Sequence, residues 1–291
     1  MTRTPKTPEQ RKAEREALLA ALSDKVAELT SSSEWLAYLR FVAAFRRYSF
    51  NNLILIAAQC PNATRVSGYR TWLKFGRQVR KGEKAIRIIG HSTKKITMTD
   101  PDTGEEVEGR IPRWPILSVF DVSQTEGDPV PDDRYQLPAG DGPVGALQLV
   151  AGWLAAQGWT LREESLPGTR EGYTDHAARV IVTATDLEPA GRLAVVLHEA
   201  AHAVLHEDVS ALEYQAHRGV CETEAESVAY VLADLLGLDL DSSSVSYIAG
   251  WTRTDPSVIA HTAANVLRAV NVIAAGIGLD ADEGDQVEGA A

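Results

Sequence analysis

Val195-Val196-Leu197-His198-Glu199-Ala200-Ala201-His202-Ala203-Val204-Leu205 reads as a buried helix carrying His-Glu-x-x-His. Positions four apart on a helix lie one turn apart on one face, so His198 and His202 can offer two imidazole nitrogens to one metal ion. Glu199, beside the first ligand, can reach a metal-bound water as general base. The bland alternative is a pair of packed core histidines. The setting weighs against it, because apolar residues flank the motif on both sides and two imidazoles in an apolar interior need a polar partner. A metal ion is such a partner.

Two histidines do not complete a catalytic zinc site; a third protein ligand is needed. His206 continues the spacing, but a straight helix rises ~12 Å over eight residues, too far to close on one ion. The intervening Ala203-Val204-Leu205 holds no glycine break, so His206 reads more simply as a helix C-terminal histidine favoured by the dipole. His217, in a polar stretch, is weaker still. Cys221-Glu222-Thr223-Glu224-Ala225-Glu226-Ser227-Val228-Ala229-Tyr230 begins an apolar helix yet holds three carboxylates. Glu222 and Glu226, four apart, share a face, and Glu224 points elsewhere. The simplest assignment makes Glu222 the third ligand. Glu226 then takes the outward ring N–H of a ligating histidine, which fixes its tautomer. The reverse assignment stays open, and acids at a helix N-terminus would account for Glu222 and Glu224 without a metal. Cys221 could ligate as a thiolate, although a small buried cysteine is the simpler reading. Tyr230 and Tyr247 are options for stabilising an oxyanion, with packed aromatics the plainer alternative.

The net charge of −11 hides a split. Leu36 to Lys95 holds thirteen basic residues and one acid, Glu83, for a net +12; residues 1–35 balance, and the remainder carries −23. A basic module joined to an acidic one implies two tasks, and 291 residues suit two domains. Cys60 and Cys221 are too few for a disulfide framework, which fits a cytoplasmic protein. No apolar run looks long enough to span a bilayer, and no apolar segment follows Met1–Lys6, so neither a membrane partner nor a signal peptide is expected.

Periodicity predicts helices over 8–29, from a Ser31/Glu34 capping box through Phe45, over 51–59 and over 67–76, the last closed by Gly76. Ala85–Gly90 and Trp114–Val122 read as a hairpin whose polar tip carries Asp100-Pro101-Asp102-Thr103-Gly104. Further on come a helix over 144–158, strands over 159–162 and 176–182, and helices over 190–206, 222–236 and 256–275. The expected domains are 1–126, a linker at 127–143, 144–279, and an acidic disordered tail at 280–291.

Within the basic module, Arg46-Arg47-Tyr48-Ser49-Phe50-Asn51-Asn52, Gly68-Tyr69-Arg70-Thr71-Trp72 and the Gly76–Lys84 run interleave cations with aromatics. Single-stranded nucleic acid binding needs that pair, cations for the backbone and rings for the bases. The candidates are Arg46, Arg47, Tyr48, Asn52, Tyr69, Arg70, Trp72, Lys74, Arg77, Arg80, Lys81 and Lys84. The alternative makes Trp72 and Phe75 core and the cations a solvated face.

His198-Glu199-Ala200-Ala201-His202 followed by Glu222-x-x-Ala225-Glu226 resembles the zinc peptidase domain of the ImmA/IrrE and ArdC antirestriction group. Tyr48-Ser49-x-x-Asn52, Trp72, Gly76–Lys84 and Phe120-Asp121-Val122-x-Gln124-Thr125-Glu126 resemble the single-stranded-DNA-binding domain of ArdC-like proteins. The two stretches come in that family's order and cover about residues 15–250; the helix from Thr7 to Leu29 does not resemble the family. The resemblance implies a sheet whose edge strand pairs with a peptide substrate, with Arg179–Thr183 the candidate edge. It also implies a role on mobile DNA, protecting incoming strands or cleaving a DNA-associated protein.

The expectation is thus an α+β protein of two domains: a small basic domain that binds single-stranded DNA, and a gluzincin-like metallopeptidase domain. The second would hold Zn2+ through His198, His202 and Glu222, with Glu199 as general base, Glu226 behind a ligand, and an unknown protein as substrate. Two rivals are a non-catalytic DNA binder with a structural zinc, and a peptidase whose basic face binds an acidic protein.

Overall fold

α1 (Pro8–Glu28) opens with Thr7 and Gln10 exchanging a reciprocal pair of hydrogen bonds, a capping box that satisfies two backbone donors at the helix start. The computed structural model describes residues 7–29, 32–99, 106–130, 142–238 and 255–279. The Ser31 cap, Tyr247, most of the expected linker and the acidic tail lie outside them. Contacts divide the described chain into two units, the first holding residues up to Asp24 and Asn51–Val130, the second Lys25–Phe50 and the residues after the linker. The expected boundary at 126 misses one exchange: α2 (Ser32–Phe45) belongs to the second unit.

The first unit is built on a three-stranded antiparallel sheet. Its elements are α3 (Phe50–Gln59), β1 (Val66–Gly68), α4 (Tyr69–Lys74), β2 (Arg77–Val79), β3 (Ile86–Ile89), β4 (Ser92–Thr99), β5 (Glu106–Arg113), β6 (Ile116–Asp121) and β7 (Thr125–Gly127). The sheet order is β1-β6-β3, with Ile86 opposite Val119; β2 pairs with β7 and β4 with β5. The expected hairpin of 85–90 with 114–122 is therefore β3 and β6, and the stretch between them forms a ribbon of its own. The edge of β3 is covered by side-chain amides. Asn52 bonds both the N–H and the carbonyl of Ile89 at 2.8 Å, and Gln59 does the same for Arg87. Two amides on α3 thus take the place of a neighbouring strand. Asp121 is fully buried, and its carboxylate accepts from the backbone N–H groups of Thr64, Arg65 and Ser123. Gln124 closes a capping box on it over the 3-10 turn Val122–Gln124. At Gly127 (φ +135°) a Cβ would lie 2.3 Å from the Gly76 carbonyl, so the β2–β7 pairing needs glycine there.

The second unit adds α5 (Gly142–Ala156), β8 (Thr160–Glu164), β9 (Gly172–Asp175), β10 (Val180–Ala184), α6 (Pro189–Leu205), α7 (Ala211–Ala216), α8 (Arg218–Leu235) and α9 (Pro256–Gly276). Its sheet order is β8-β10-β9, with β8 parallel and β9 antiparallel to the central β10. Arg179–Thr183 therefore falls largely on the central strand; the edges are β8 and β9. The core joins Trp35 and Leu39 of α2 to Leu193, Val196 and Leu197 of α6, Val228 and Leu232 of α8, and Val270 and Ile273 of α9. Polar anchors fix α2 in place: Trp35 donates its indole N–H to Ser227 Oγ at 2.9 Å, and the Tyr38 hydroxyl donates to the Ala263 carbonyl at 2.7 Å. Ser257–Gly276 is long and apolar enough, by length and composition, to cross a membrane, contrary to the sequence expectation. Half of that window is buried, and its Asn265 donates to Glu224 of α8, the behaviour of a core helix.

Candidate metal centre

α6 and α8 pack side by side and supply the candidate ligands. α6 starts with Pro189 at its first position, where the missing N–H costs nothing, and buries the face that carries Val196, Leu197, Ala200, Ala201 and Ala203. Its polar residues follow from the same periodicity: His198 and His202 share a stripe turned toward α8. Glu222 lies in the second turn of α8 and Glu226 one turn later, away from the free N–H groups of the first turn. A preference of acids for helix N-termini accordingly does not account for them.

One donor atom each from His198, His202 and Glu222 lies within 4.8 Å of the others. His198 Nε2 is 3.0 Å from His202 Nε2 and 3.4 Å from Glu222 Oε2, while His202 Nε2 is 3.8 Å from the same oxygen. Two imidazole nitrogens and a carboxylate converging on one point suit a divalent metal cation. Glu226 sits behind His198, with Oε2 3.1 Å from Nδ1. The geometry thus brings Glu222 to the Nε2 pair and gives Glu226 the outer position. Cys221 is buried beside them. Burial first, then Glu224 and Glu222, push its thiol up to about 11, so it is protonated at neutral pH.

Glu199 is buried, 8% exposed, and the Thr174 hydroxyl on β9 donates to its Oε2 at 2.7 Å. Gly172 makes that approach possible, since a Cβ there would lie 2.5 Å from Val195 and 3.4 Å from Glu199 Oε1. Tyr214 of α7 donates its hydroxyl to Glu222 Oε1 at 2.9 Å. Burial and this carboxylate raise the Tyr214 phenol above its ordinary value. The His198 and His202 imidazoles beside it hold the Glu222 carboxyl far below the usual carboxylate range, against the effect of burial. Burial disfavours a charged His198, but its bonds to Glu222 and Glu226 prevail and lift it to about 10. His202 moves the other way, lowered chiefly by burial.

His206 is not part of the convergent set. The helix ends at Leu205, and the His206 ring at its C-cap lies between α6 and α8, with Nδ1 2.9 Å from His202 Nδ1 and Nε2 3.0 Å from Glu224 Oε2. Thr174, Tyr214 and this His206–Glu224 pair escaped the sequence reading. The Ser210-x-x-Glu213 capping box that starts α7 was legible and would have placed Tyr214 near α8. β9 is four residues long, with Gly172 and Asp175 at its ends, and carries no strand signal of its own.

The nucleic-acid candidates divide by burial. Trp72 is fully buried and donates to the Phe120 carbonyl, Asn52 serves β3, and Arg46 is buried with its guanidinium on the Leu279 carbonyl. These three have packing tasks, which corrects their expected place on a binding face. Arg77 bonds Thr125 and Gly127, and Arg80 bonds Ser123, Thr125 and Glu83, so both brace the strand and turn beside β2. Tyr69, Arg70, Lys74, Lys81 and Lys84 are exposed in the first unit; Arg47 is exposed and Tyr48 half-buried in the second.

Residues 15–120 match the family model for the N-terminal domain of anti-restriction factor ArdC. An uncharacterized Bacillus anthracis protein is 30% identical over 88% of this chain, and the chain spans about half (49%) of that relative's length. Two crystal structures of the antirestriction protein ArdC from plasmid R388, one metal-free and one bound to Mn(II), are 24% identical to it. They cover 79% of this chain and 85% of theirs, with TM-scores of 0.48 and 0.49.

Proposed function

We propose that this ArdC-like chain is an antirestriction protein that pairs a single-stranded-DNA-binding unit with a divalent-metal hydrolase unit, a zinc-type peptidase working in the cytoplasm. The observation that carries the second half is the convergence of His198 Nε2, His202 Nε2 and Glu222 Oε2 within 4.8 Å, with Glu199 adjacent on α6. A closed structural site has no use for a carboxylate held beside it; a hydrolase does.

A bound divalent cation would supply Lewis acidity, lowering the pKa of water and polarising a scissile carbonyl. The remaining chemistry belongs to the chain. Glu199 accepts the proton of the attacking water and returns it to the leaving amine. Thr174 holds the carboxylate at a fixed angle through its 2.7 Å hydrogen bond. Glu226 takes the outward Nδ1–H of His198 and keeps Nε2 inward. β9 is a sheet edge next to Glu199. An extended peptide added there would run past the carboxylate, and this is where a protein substrate fits.

Support for the DNA-binding half is the part of the basic segment that lies in the first unit, Asn51–Lys95, with ten bases and one acid, and the exposure of Tyr69, Arg70, Lys74, Lys81 and Lys84 there. The test is competition among single-stranded DNA, duplex DNA and RNA for the full chain. The reading expects preference for the single strand, where bases are free to stack. Equal affinity for all three, or none, would overturn it. Cleavage of denatured protein substrates, with and without single-stranded DNA, tests the hydrolase half.

A further inference from the structure

His202 needs a partner for its outward Nδ1 as much as His198 does, and among the described residues an imidazole, not a carboxylate, faces it there. Its Nδ1 faces another imidazole, His206 Nδ1, at 2.9 Å. His206 Nε2 in turn faces Glu224 Oε2 at 3.0 Å, and Glu224 Oε1 accepts from Asn265 Nδ2 at 2.9 Å. The His206 and Glu224 side chains are only 4% and 5% exposed. Half-satisfied polar groups at such depth are costly, so every lone pair and proton in the chain has a defined role.

The roles follow from what each group can do. A carboxylate only accepts, so His206 Nε2 carries the proton it donates to Glu224. One proton lies between the facing Nδ1 atoms of His202 and His206; carried by His202, it leaves His206 Nδ1 as the acceptor and His202 Nε2 with a free lone pair. That lone pair is the one turned toward His198 Nε2 and Glu222. We propose that His206 and Glu224 are positioning residues of the metal centre, with Glu224 acting through the His206 ring to fix His202 in the Nδ1–H tautomer that leaves Nε2 free for the ion. The proposal rests on the metal-site reading above. It gives the two candidate ligands unequal supports: Glu226 holds His198 directly, whereas His202 is held through a relay anchored by α9.

His206 lies one turn beyond His202 on the same stripe, its backbone N–H still bonded to the His202 carbonyl at 2.9 Å, so the two rings meet as helix neighbours.

The test uses the full chain and two separate readouts. The first is the ring-nitrogen NMR spectrum of the metal-free protein, which distinguishes Nδ1–H from Nε2–H imidazoles. The second is the affinity for Zn2+ and Mn2+, measured by competition with a chromophoric chelator. We expect an Nδ1–H signature for His202. We also expect a loss of metal affinity of about 10- to 100-fold in His206→Leu and Glu224→Gln. His206→Gln restores a carbonyl acceptor to His202 and should recover part of the loss, whereas a packing role alone would leave Gln no better than Leu. Circular dichroism on each variant separates local loss from unfolding. An Nε2–H signature for His202, or unchanged affinity in folded Glu224→Gln, overturns the relay. A wild type that binds neither metal overturns the metal-site reading itself, a result the NMR experiment does not depend on.

Discussion

Glu199 and His198 are neighbours on α6 with separate tasks, and each makes a separate prediction. Glu199→Gln keeps the hydrogen-bonding shape but cannot take a proton. It should bind metal as the wild type does and lose about 10²- to 10⁴-fold in peptide hydrolysis; equal turnover would remove Glu199 from the chemistry. His198 in the metal-free protein sits at about 10 against an ordinary 6.5. A raised pKa contributes stability that is complete below the unfolded value and is lost as pH rises through the folded one. The depressed Glu222 carboxyl has the opposite sign: its contribution is present above the unfolded value and is lost on acidification. Denaturation midpoints of the metal-free protein should therefore fall between pH 7 and 10, and His198→Gln should flatten that fall; a midpoint that rises over this window would contradict the pairing. Gly172→Ala tests the approach of β9 to α6. Its Cβ would meet Val195 at 2.5 Å, an overpacking expected to cost about 1–3 kcal/mol in a thermal or denaturant melt.

At the level of elements, α2 is the unexpected member of the unit that carries the candidate metal centre. Trp35 is fully buried and bonded to Ser227 on α8, so Trp35→Ala should destabilise the second unit by about 3–5 kcal/mol. The check is the unfolding midpoint; a cost below about 1 kcal/mol would make α2 a bystander. Sequence reading located α2 as a helix but not its partner. Apolar spacing shows which face is buried and is silent on what buries it, and charge made the segment look like part of the basic module. The motif helix, α8 and α9 were legible within a few residues because each is long and strongly periodic. β9 was not, because four residues with glycine and aspartate at the ends carry too little pattern. In the site, the His-Glu-x-x-His spacing and the Glu222/Glu226 pair could be read from helical geometry alone. Thr174 on Glu199 and Glu224 on His206 are contacts between elements, which no local pattern encodes. The quoted Asn52 and Phe120–Gln124 motifs proved to be structural: Asn52 covers the β3 edge, and Asp121 gathers three backbone donors.

For the molecule as a whole, the charge split remains the main argument for two tasks. If about six phosphates are neutralised, log K against log[salt] for a single strand should slope by about −4. Replacing Lys81 and Lys84, both exposed, by alanine should flatten that slope by about 1.4 if each contacts one phosphate, whereas Trp72→Ala should unfold the first unit instead of merely weakening binding; an unchanged slope would clear Lys81 and Lys84 of phosphate contact. Elemental analysis of the purified wild type beside Glu222→Ala and Glu226→Ala tests the metal centre itself. The expected result is one divalent ion per chain, lost with Glu222→Ala and largely retained with Glu226→Ala. Retention in Glu222→Ala with loss in Glu226→Ala would exchange the two carboxylates, and a wild type without metal would contradict the account and reduce His198 and His202 to buried core histidines.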